Sequence, residues 1–311
     1  MILTVTLNTS IDKVYVVENF RIGDVIRVKE VTYTPGGKGL NVAKALSALG
    51  EEVLATGFAG GFAGRFIESE LGKLGIPHKF IQVNGETRSC INIIDKNSYI
   101  QTELLEPGPW VSPDKLSQFI ELFETLMQNS DVVTLSGSLP RGLHDDTYKV
   151  LISIAKEKGK KAILDTSGMA LKEGLSVFPT MIKPNIKEAG VVLGRRVESI
   201  SEAAAAAKEL TALGAGMAAV SMGAEGVVVA DSSTGRIYHV KPPRIFPVNT
   251  VGCGDAMVAG FAVALRKGYD LEATIRMGTA VSAAAALTTE TGGCRPDDVN
   301  RFINDIKLEL I

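Results

Sequence analysis

The sequence predicts an α/β protein with a doubly wound, mostly parallel central sheet flanked by helices, and with a small β-sheet set apart as a lid. Three observations predict this fold. Short β-rich runs alternate with helical patterns along the chain, which is typical of βαβ units. Several of these runs lead directly into loops that are rich in glycine and hydroxyl groups. Two segments contain paired strand patterns with no helix between them.

The elements of the main sheet follow from the N-terminus. Residues 2–7 (ILTVTL) predict a buried strand, and residues 38–50 place apolar side chains on one helical face before Gly50, the expected C-cap. Ser201 is the predicted N-cap of an alanine-rich helix over 201–214. The other predicted strands are 52–60, 131–140, 161–168, 180–185 and 218–230, with a further helix at 65–75.

The small sheet is predicted from two hairpin-like segments. Residues 12–20 pair with 27–34, and residues 87–95 pair with 99–106 across a DKNS turn. Such a sheet is either a lid over a cleft or a decorated edge of the fold. Because no Pro/Ser-rich linker divides the chain, we expect one domain over 1–311, with a lid formed by about 12–34 and 87–106.

Composition excludes several classes of protein. Hydrophobic residues make up 45% of the chain, charged residues make up 22%, and the net charge is −2, so nucleic-acid and acidic-membrane partners are not expected. No apolar run reaches the roughly 18 residues that a membrane span needs. The three cysteines show no pairing pattern and the three histidines are far apart, which disfavours a zinc site and predicts a cytoplasmic protein.

Residues 249–261 (NTVGCGDAMVAGF) place two glycines, a thiol and a carboxylate directly before an apolar helix. The dinucleotide-binding pattern G-x-G-x-x-G fails here because Met257 occupies its last glycine position. The free N–H groups at the start of a helix suit an anion such as a nucleotide phosphate. Taken alone, this pattern leaves two readings of Asp255: a helix cap, or the group that carries out the chemistry.

Three more loops combine glycine, hydroxyl, amide or charged groups. Residues 36–41 (GGKGLN) are not a P-loop, because no Ser or Thr follows the lysine. Lys38 is therefore open to two readings, a ligand-binding residue or a solvated residue of a turn. Residues 136–142 (SGSLPRG) follow another strand. In residues 183–188 (KPNIKE), the carboxylate of Glu188 either supports the water shell of a nucleotide-bound magnesium ion or belongs to a capped surface helix. Because ligands bind beyond the carboxyl ends of strands in open α/β sheets, these loops predict a shared crevice.

The order and spacing of four motifs resemble those of the ribokinase-like, or PfkB, carbohydrate kinases. The motifs are GGKGLN (36–41), KPNIKE (183–188), SMGAEG (221–226) and TVGCGD (250–255). The resemblance covers essentially the whole chain. The segments TLNTSIDKVY, GETRSCINI, TELLEPGP and SGSLPRGL narrow it to the branch that contains 1-phosphofructokinase and tagatose-6-phosphate kinase.

This resemblance implies an ATP-dependent kinase for a ketohexose monophosphate. The favoured reaction converts fructose 1-phosphate to fructose 1,6-bisphosphate, and the alternative substrate is tagatose 6-phosphate. A sugar-phosphate-binding regulator that has lost the chemistry is a third reading, against which the intact Asp255, Lys38 and Asn185 argue. The family often dimerises through its lid, so the resemblance also allows a homodimer, and it allows a monovalent cation beside Mg²⁺.

The resemblance assigns roles to matching positions. Asp255 would be the catalytic base, and the backbone amides of Gly252, Cys253 and Gly254 would form the anion hole for the transferring phosphate. The implied sugar-binding residues are Asp12, Gly37, Lys38 and Asn41, and the candidates for the substrate's existing phosphate are Arg27, Arg88 and Ser138. The implied ATP-binding residues are Lys183, Asn185, Ser221, Gly223 and Gly226, with Glu188 near magnesium.

Two expectations about ionisation follow from the position at a helix N-terminus. The pKa of Asp255 should lie at or below about 3.9, because the helix dipole stabilises a carboxylate there. Cys253 stands where the family usually has alanine. Its thiol is either activated by the same dipole, so that alkylation inactivates the enzyme, or buried and inert.

Overall fold

The computed structural model describes residues 1–98 and 100–311. The strands, in chain order, are β1 (Ile2–Thr6), β2 (Ser10–Val17), β3 (Glu30–Gly36), β4 (Val53–Ala59), β5 (His78–Gln82), β6 (Arg88–Asp95), β7 (Gln101–Leu105), β8 (Val132–Ser136), β9 (Lys161–Asp165), β10 (Met181–Ile182), β11 (Met217–Ser221), β12 (Val227–Asp231), β13 (Ile237–Val240) and β14 (Leu308–Leu310). The α-helices are α1 (Lys38–Ala48), α2 (Gly61–Lys73), α3 (Pro113–Met127), α4 (Thr147–Glu157), α5 (Gly168–Leu175), α6 (Ile186–Leu193), α7 (Ile200–Ala212), α8 (Cys253–Lys267), α9 (Leu271–Ala285) and α10 (Pro296–Asp305).

The larger sheet has ten strands in the order β14-β13-β12-β11-β10-β9-β8-β1-β4-β5. All neighbouring strands from β11 to β5 are parallel, and β12, β13 and β14 add an antiparallel edge. From β1 the sheet extends to β4 and β5 on one side and to β8, β9, β10 and β11 on the other. The predicted doubly wound sheet is therefore confirmed, and the reversal beside β1 creates a crevice at the carboxyl ends of β1 and β8.

Apolar side chains on the two faces of the sheet form two separate cores. Ile2 and Val132 point to the core that includes α1, α8 and α9. Their neighbours Leu3 and Val133 point to the core that includes α3, α4 and α7. Because helices cover both faces, the central strands are apolar on both sides and appear in the sequence as continuous apolar runs.

The N-terminus of α7 corrects one prediction. Its N-cap is Ser199 and not Ser201, which already lies inside the helix. The Ser199 hydroxyl accepts the Glu202 N–H, and the Glu202 carboxylate accepts the Ser199 N–H. This reciprocal capping satisfies two backbone donors that the helix leaves free, so the helix begins at the serine that has a glutamate three residues later.

The separate small sheet has the strand order β3-β2-β6-β7. Each hairpin is antiparallel, as predicted, but the two hairpins join through parallel pairing of β2 with β6. The predicted strand over 99–106 begins at Tyr99, which lies outside the described residues, and β7 is its described part. Within residues 1–98 and 100–311, no helix combines the length and apolarity needed to cross a membrane.

Candidate active site

Polar side chains collect at the carboxyl edge of the parallel strands. Asn8 follows β1, Ser138 follows β8, Asp165 ends β9 and Lys183 follows β10. Because these strands are parallel, their carboxyl ends meet at one edge of the sheet. The N-terminal turns of α1 and α8 lie against the same edge and contribute further polar groups. The predicted convergence of these loops at one edge of the sheet is therefore present in the fold.

Asp255 lies in the first turn of α8 and is only 7% exposed. Its Oδ2 accepts a hydrogen bond of 2.8 Å from Asn41 Nδ2. The N-cap of α8 is Gly252, at φ 82°, and no side chain of the described residues caps this helix. The helix-cap reading of Asp255 is therefore wrong, because the carboxylate faces Asn41 on α1.

Burial raises the pKa of Asp255 to about 6, and the charge of Asp165 adds to the increase. The expected pKa at or below about 3.9 is therefore wrong. The helix dipole favours a carboxylate in the first turn, but loss of water around this side chain outweighs it. A carboxyl group with a pKa near 6 is better matched to proton transfer at neutral pH than an ordinary aspartate.

A fully buried carboxylate, that of Asp165, joins two lysines. Asp165 Oδ1 lies 3.1 Å from Lys38 Nζ and 3.4 Å from Lys183 Nζ. Burial opposes the charge of Asp165, but the two ammonium groups outweigh it and hold its pKa below the usual value. Burial likewise opposes the charge of Lys38, but the surrounding carboxylates, Asp165 first, raise its pKa. The crevice therefore contains two positioned cations beside Asp255.

The backbone at the start of α8 can receive an anion. The N–H groups of Gly252, Gly254 and Asp255 have no acceptor among the described residues, whereas the Cys253 N–H reaches Thr250 O at 3.4 Å. These free donors point from the N-terminus of a helix, where the dipole favours negative charge.

Lys183 approaches the same turn of α8. A Cβ added at Gly254 would lie 3.4 Å from Lys183 Nζ, so the ammonium group is within van der Waals reach of this turn. The lysine and the free N–H groups of the turn therefore converge, as the binding of a phosphate group requires.

The residues assigned to the nucleotide lie beyond β10 and β11. Asn185 and Ser221 form a parallel bridge between these loops. Gly223 begins a 3₁₀ turn and Gly226 follows it at φ 92°, where a Cβ would lie 1.9 Å from Val240 O. Only glycine fits this close approach, so the loop lies flat against β13.

Glu188 caps a helix and also directs one carboxylate oxygen toward Lys38. Its Oε2 accepts the Asn185 N–H and its own N–H is accepted by Asn185 Oδ1, so it caps α6. Its Oε1 lies 3.5 Å from Lys38 Nζ, so one carboxylate oxygen faces the crevice. The structure thus keeps Glu188 both as a capping residue and as a group that faces the site.

The small sheet contributes Asp12 to the other side of the crevice. Burial raises the pKa of Asp12, while the hydrogen bond from Ser10 Oγ, at 2.7 Å, opposes the increase. A Cβ at Gly36 would fall 2.0 Å from the Asp12 carboxylate, which explains the glycine. Gly37, at φ 100°, is the N-cap of α1 and allows the chain to turn into Lys38.

Two of the three candidates for a substrate phosphate lie together. Arg88 donates to the backbone carbonyl of Asn8, and Asn8 Nδ2 donates to Ser138 Oγ at 3.1 Å. Arg27 lies in the exposed segment between β2 and β3 and makes no hydrogen bond or ion pair with any other residue that the structure describes. The structure therefore does not bring Arg27 to this pair.

The comparison with known proteins identifies the family. The model of the pfkB family carbohydrate kinases matches residues 3–298, almost the whole chain. The chain belongs to this family. It is an ATP-dependent carbohydrate kinase, and the resemblance inferred from its motifs is confirmed.

Solved structures agree with this assignment to the pfkB kinases. Phosphofructokinase-2 from Escherichia coli, in complex with potassium, is 30% identical and superposes with a TM-score of 0.90, with 98% of each chain covered. A Thermotoga maritima protein described as "Possible 1-phosphofructokinase" is 28% identical with a TM-score of 0.91, and the match covers 100% of this chain and 99% of that one. The kinase fold is therefore shared over its full length.

The thiol of this kinase does not fit an activated cysteine. Burial raises the pKa of Cys253 to about 11, and the charge of Asp255 contributes to the increase. Its Sγ lies 3.8 Å from Asn249 O. Of the two readings of this thiol, the structure therefore favours the inert one, because desolvation and a neighbouring carboxylate both oppose a thiolate.

Two polar residues of the kinase site were not among the sequence predictions. Asp165 lies within the predicted strand over 161–168 and is the last residue of the observed β9, so a carboxylate at the end of a buried apolar run was an available signal. Asn8 directly follows the first strand in the same way. Neither residue lies in one of the motifs from which the site residues were predicted.

The acidic groups of this kinase fit a magnesium ion that arrives with the nucleotide. Within the described residues, no group of three or more His, Cys, Asp or Glu side chains could enclose a metal ion. Glu188 is 17% exposed and presents one carboxylate oxygen to the crevice. Because Mg²⁺ usually keeps several waters and binds one or two carboxylates plus substrate phosphates, this arrangement fits it.

Proposed function

We propose that this kinase transfers the γ-phosphoryl group of ATP to a free hydroxyl of a ketohexose monophosphate, with fructose 1-phosphate as substrate and fructose 1,6-bisphosphate as product. The observation that carries this proposal is the buried Asp255 carboxylate beside the free N–H groups of α8. With Lys38 and Lys183 close by, the crevice supplies a base, an anion hole and two cations.

Asp255 takes the proton from the attacking hydroxyl. The backbone N–H groups of Gly252, Cys253 and Gly254 donate to the transferring phosphoryl group, which requires the Cys253 N–H to leave its long bond to Thr250. Phosphoryl transfer passes through a loose transition state that depends on positioning and charge neutralisation more than on a strong base. The dipole of α8 and the lysines therefore provide most of the stabilisation.

The sugar lies between the small sheet and α1 in this proposal. Asp12, Gly37, Lys38 and Asn41 hold its hydroxyl groups, and Asn41 also orients Asp255 through the 2.8 Å hydrogen bond. Arg88 and Ser138 bind the phosphate that the substrate already carries, and an arginine fork suits two phosphate oxygens at once. Arg27 joins them only if the segment between β2 and β3 moves.

ATP binds along the loops that follow β10 and β11. Lys183, Asn185, Ser221, Gly223 and Gly226 line this part of the crevice in the proposal. Glu188 would hold a hydrated magnesium ion, which would neutralise phosphate charge. The E. coli phosphofructokinase-2 was solved with potassium, so we also propose a monovalent cation, tested by comparing activity in potassium and tetramethylammonium salts.

The proposal also specifies which sugar phosphate is the substrate. The chain's motifs favour fructose 1-phosphate, with tagatose 6-phosphate as the alternative. The E. coli phosphofructokinase-2 has been solved in complex with fructose-6-phosphate, so this compound belongs in the same comparison. All three carry one phosphate on a ketohexose, and a single pocket around Arg88 fits this common feature.

A substrate panel tests the proposal. ADP release is measured with purified protein, MgATP and each of fructose 1-phosphate, tagatose 6-phosphate, fructose 6-phosphate and unphosphorylated fructose, and the product is identified by ³¹P NMR. We expect the highest kcat/KM with fructose 1-phosphate. A higher kcat/KM with tagatose 6-phosphate would identify that compound as the substrate in place of fructose 1-phosphate. Binding of sugar phosphates without any turnover would favour the silent regulator.

The small sheet acts as a lid in this proposal. Its closure over Asp12 and the sugar would exclude the water that competes for the γ-phosphate. Its other face carries exposed apolar side chains, with Val31 43%, Tyr33 50% and Leu104 53% exposed, which suits a homodimer through the lid. Light scattering tests this, since Tyr33→Glu should convert a dimer to a monomer.

A further inference from the structure

Asn8 connects the two candidates for the substrate phosphate. It lies just beyond β1 and is 6% exposed. Its side-chain Nδ2 donates to Ser138 Oγ at 3.1 Å. Its backbone carbonyl accepts from Arg88 Nε at 3.3 Å and from Arg88 Nη2 at 3.1 Å. One residue therefore contacts groups from β6 and from the loop after β8.

The contact with Ser138 sets the direction of its hydroxyl group. A serine hydroxyl has one proton to donate and lone pairs with which to accept. Because an amide nitrogen only donates, Ser138 Oγ must accept from Asn8 Nδ2 and its own proton stays free. Ser138 is exposed and forms no other side-chain hydrogen bond with a residue that the structure describes. Its O–H can therefore donate to a phosphate oxygen.

The contact with Arg88 leaves a matching pair of donors. Two of the five N–H groups of the guanidinium go to Asn8 O and a third goes to Glu106 O at 3.2 Å. One N–H on each terminal nitrogen remains. Two N–H groups in one plane suit two oxygens of a phosphate group.

Gly108 holds the Asn8 amide in place. A Cβ at Gly108, whose φ is 83°, would lie 2.3 Å from Asn8 Oδ1 and 3.5 Å from Arg88 Cδ. Asn8 Oδ1 is inaccessible and has no hydrogen-bond partner among the described residues. The amide therefore packs with its oxygen against the glycine and its nitrogen toward Ser138.

We propose that Asn8 is a positioning residue of the phosphate pocket, which keeps Ser138 as a hydrogen-bond donor and fixes the plane of Arg88. This inference rests on the proposed function and deepens it, because it defines how the pocket selects a phosphorylated sugar. Asn8 acts through its two neighbours and does not itself contact the substrate.

Asn8→Asp is the main test because it keeps the size of the side chain. A carboxylate cannot donate a hydrogen bond to Ser138 Oγ. It would instead accept the Ser138 O–H, which would no longer be free for the substrate, and its negative charge would repel the phosphate. We expect the KM for fructose 1-phosphate to rise about 10- to 150-fold, the range for hydrogen bonds to charged groups, with the KM for ATP unchanged. Asn8→Ala should raise it less, by about 2- to 10-fold. The control is Asn304→Asp, on the exposed side of α10.

A double variant separates positioning from general damage. Asn8→Ala should raise the KM for fructose 1-phosphate in the parent but not in Ser138→Ala, because the positioned hydroxyl is already absent there. An equal rise in both backgrounds would overturn the proposal. So would an unchanged KM in Asn8→Asp, because Asn8 would then not be donating to Ser138.

Calorimetric titration with fructose 1-phosphate in the absence of ATP keeps this inference distinct from the proposed function. A parent that binds the compound without turning it over would reject the function, and the ranking of Asn8 variants by affinity would still decide the inference. A parent that turns it over while the Asn8 variants bind it equally well would reject the inference alone.

A glycine substitution provides a second route if the Asn8 variants fail to fold. Gly108→Ala pushes a Cβ against the Asn8 amide and should weaken binding of fructose 1-phosphate. Gly235→Ala, at φ 69° with no heavy atom of the described residues within 4 Å of the added Cβ, carries a similar backbone strain away from the site and serves as the control. Equal affinity in both glycine variants would contradict the proposal.

Discussion

Replacing Asp255 by asparagine should separate catalysis from stability. The amide keeps the size of the side chain but cannot accept the hydroxyl proton. We expect kcat to fall by roughly 10²- to 10⁴-fold, the usual scale for a general base, with little change in the KM for ATP. In the parent, kcat/KM should fall as the pH drops below about 6, where Asp255 becomes protonated. This acid limb should be missing from the residual activity of the variant.

The same substitution should make the protein more stable at neutral pH. The pKa of Asp255 is raised from 3.8 to about 6, so the folded state binds the proton more tightly than the unfolded state. Stability is therefore lost as the pH rises from about 4 to about 6, and the loss is complete above that range. At about 1.4 kcal/mol for each pKa unit, the charged side chain costs about 3 kcal/mol at pH 8.

Urea unfolding at pH 4 and pH 8 measures this effect. The free energy of unfolding of Asp255→Asn should exceed that of the parent by up to about 3 kcal/mol at pH 8 and by little at pH 4. Asp270→Asn is the matched control, because Asp270 does cap its helix, accepting the Ala273 N–H at 2.8 Å. Near-normal turnover in Asp255→Asn, or a stability difference that is independent of pH, would refute the reasoning.

Three further variants test other parts of the site. Arg88→Ala should raise the KM for the sugar phosphate roughly 10- to 150-fold, since a charge-assisted bond contributes about 1.5–3 kcal/mol, and a raised KM for ATP alone would contradict this. Cys253→Ala should remain active, and iodoacetamide at pH 7 should inactivate the parent no faster than this variant. Slower inactivation of the variant would show that the Cys253 thiol is reactive. Asp165→Asn should lower kcat and destabilise the fold by about 3–5 kcal/mol in urea unfolding, because it leaves Lys38 and Lys183 without their shared carboxylate partner. A kcat and a free energy of unfolding equal to those of the parent would refute this role.

Local sequence was sufficient to predict much of the fold and the centre of the site. The alternation of strand and helix patterns predicted the doubly wound sheet, because it depends on neighbouring residues alone. The pattern TVGCGD likewise predicted a turn with free N–H groups at the start of α8. It did so because a glycine turn before a helix leaves N–H groups free whatever surrounds it.

The tertiary structure decided the properties that depend on distant residues. The pKa of Asp255 is set by burial and by Asp165, which comes from another strand. The parallel pairing of β2 with β6 joins segments separated by about 70 residues, and it brings Asp12 level with Cys90. Asn8 acquires its position only because β6 and the loop after β8 meet beside it. Sequence by itself determined the local elements and the turn with free N–H groups, whereas packing determined charge, proton affinity and partners, because desolvation and Coulomb interactions depend on distances in space.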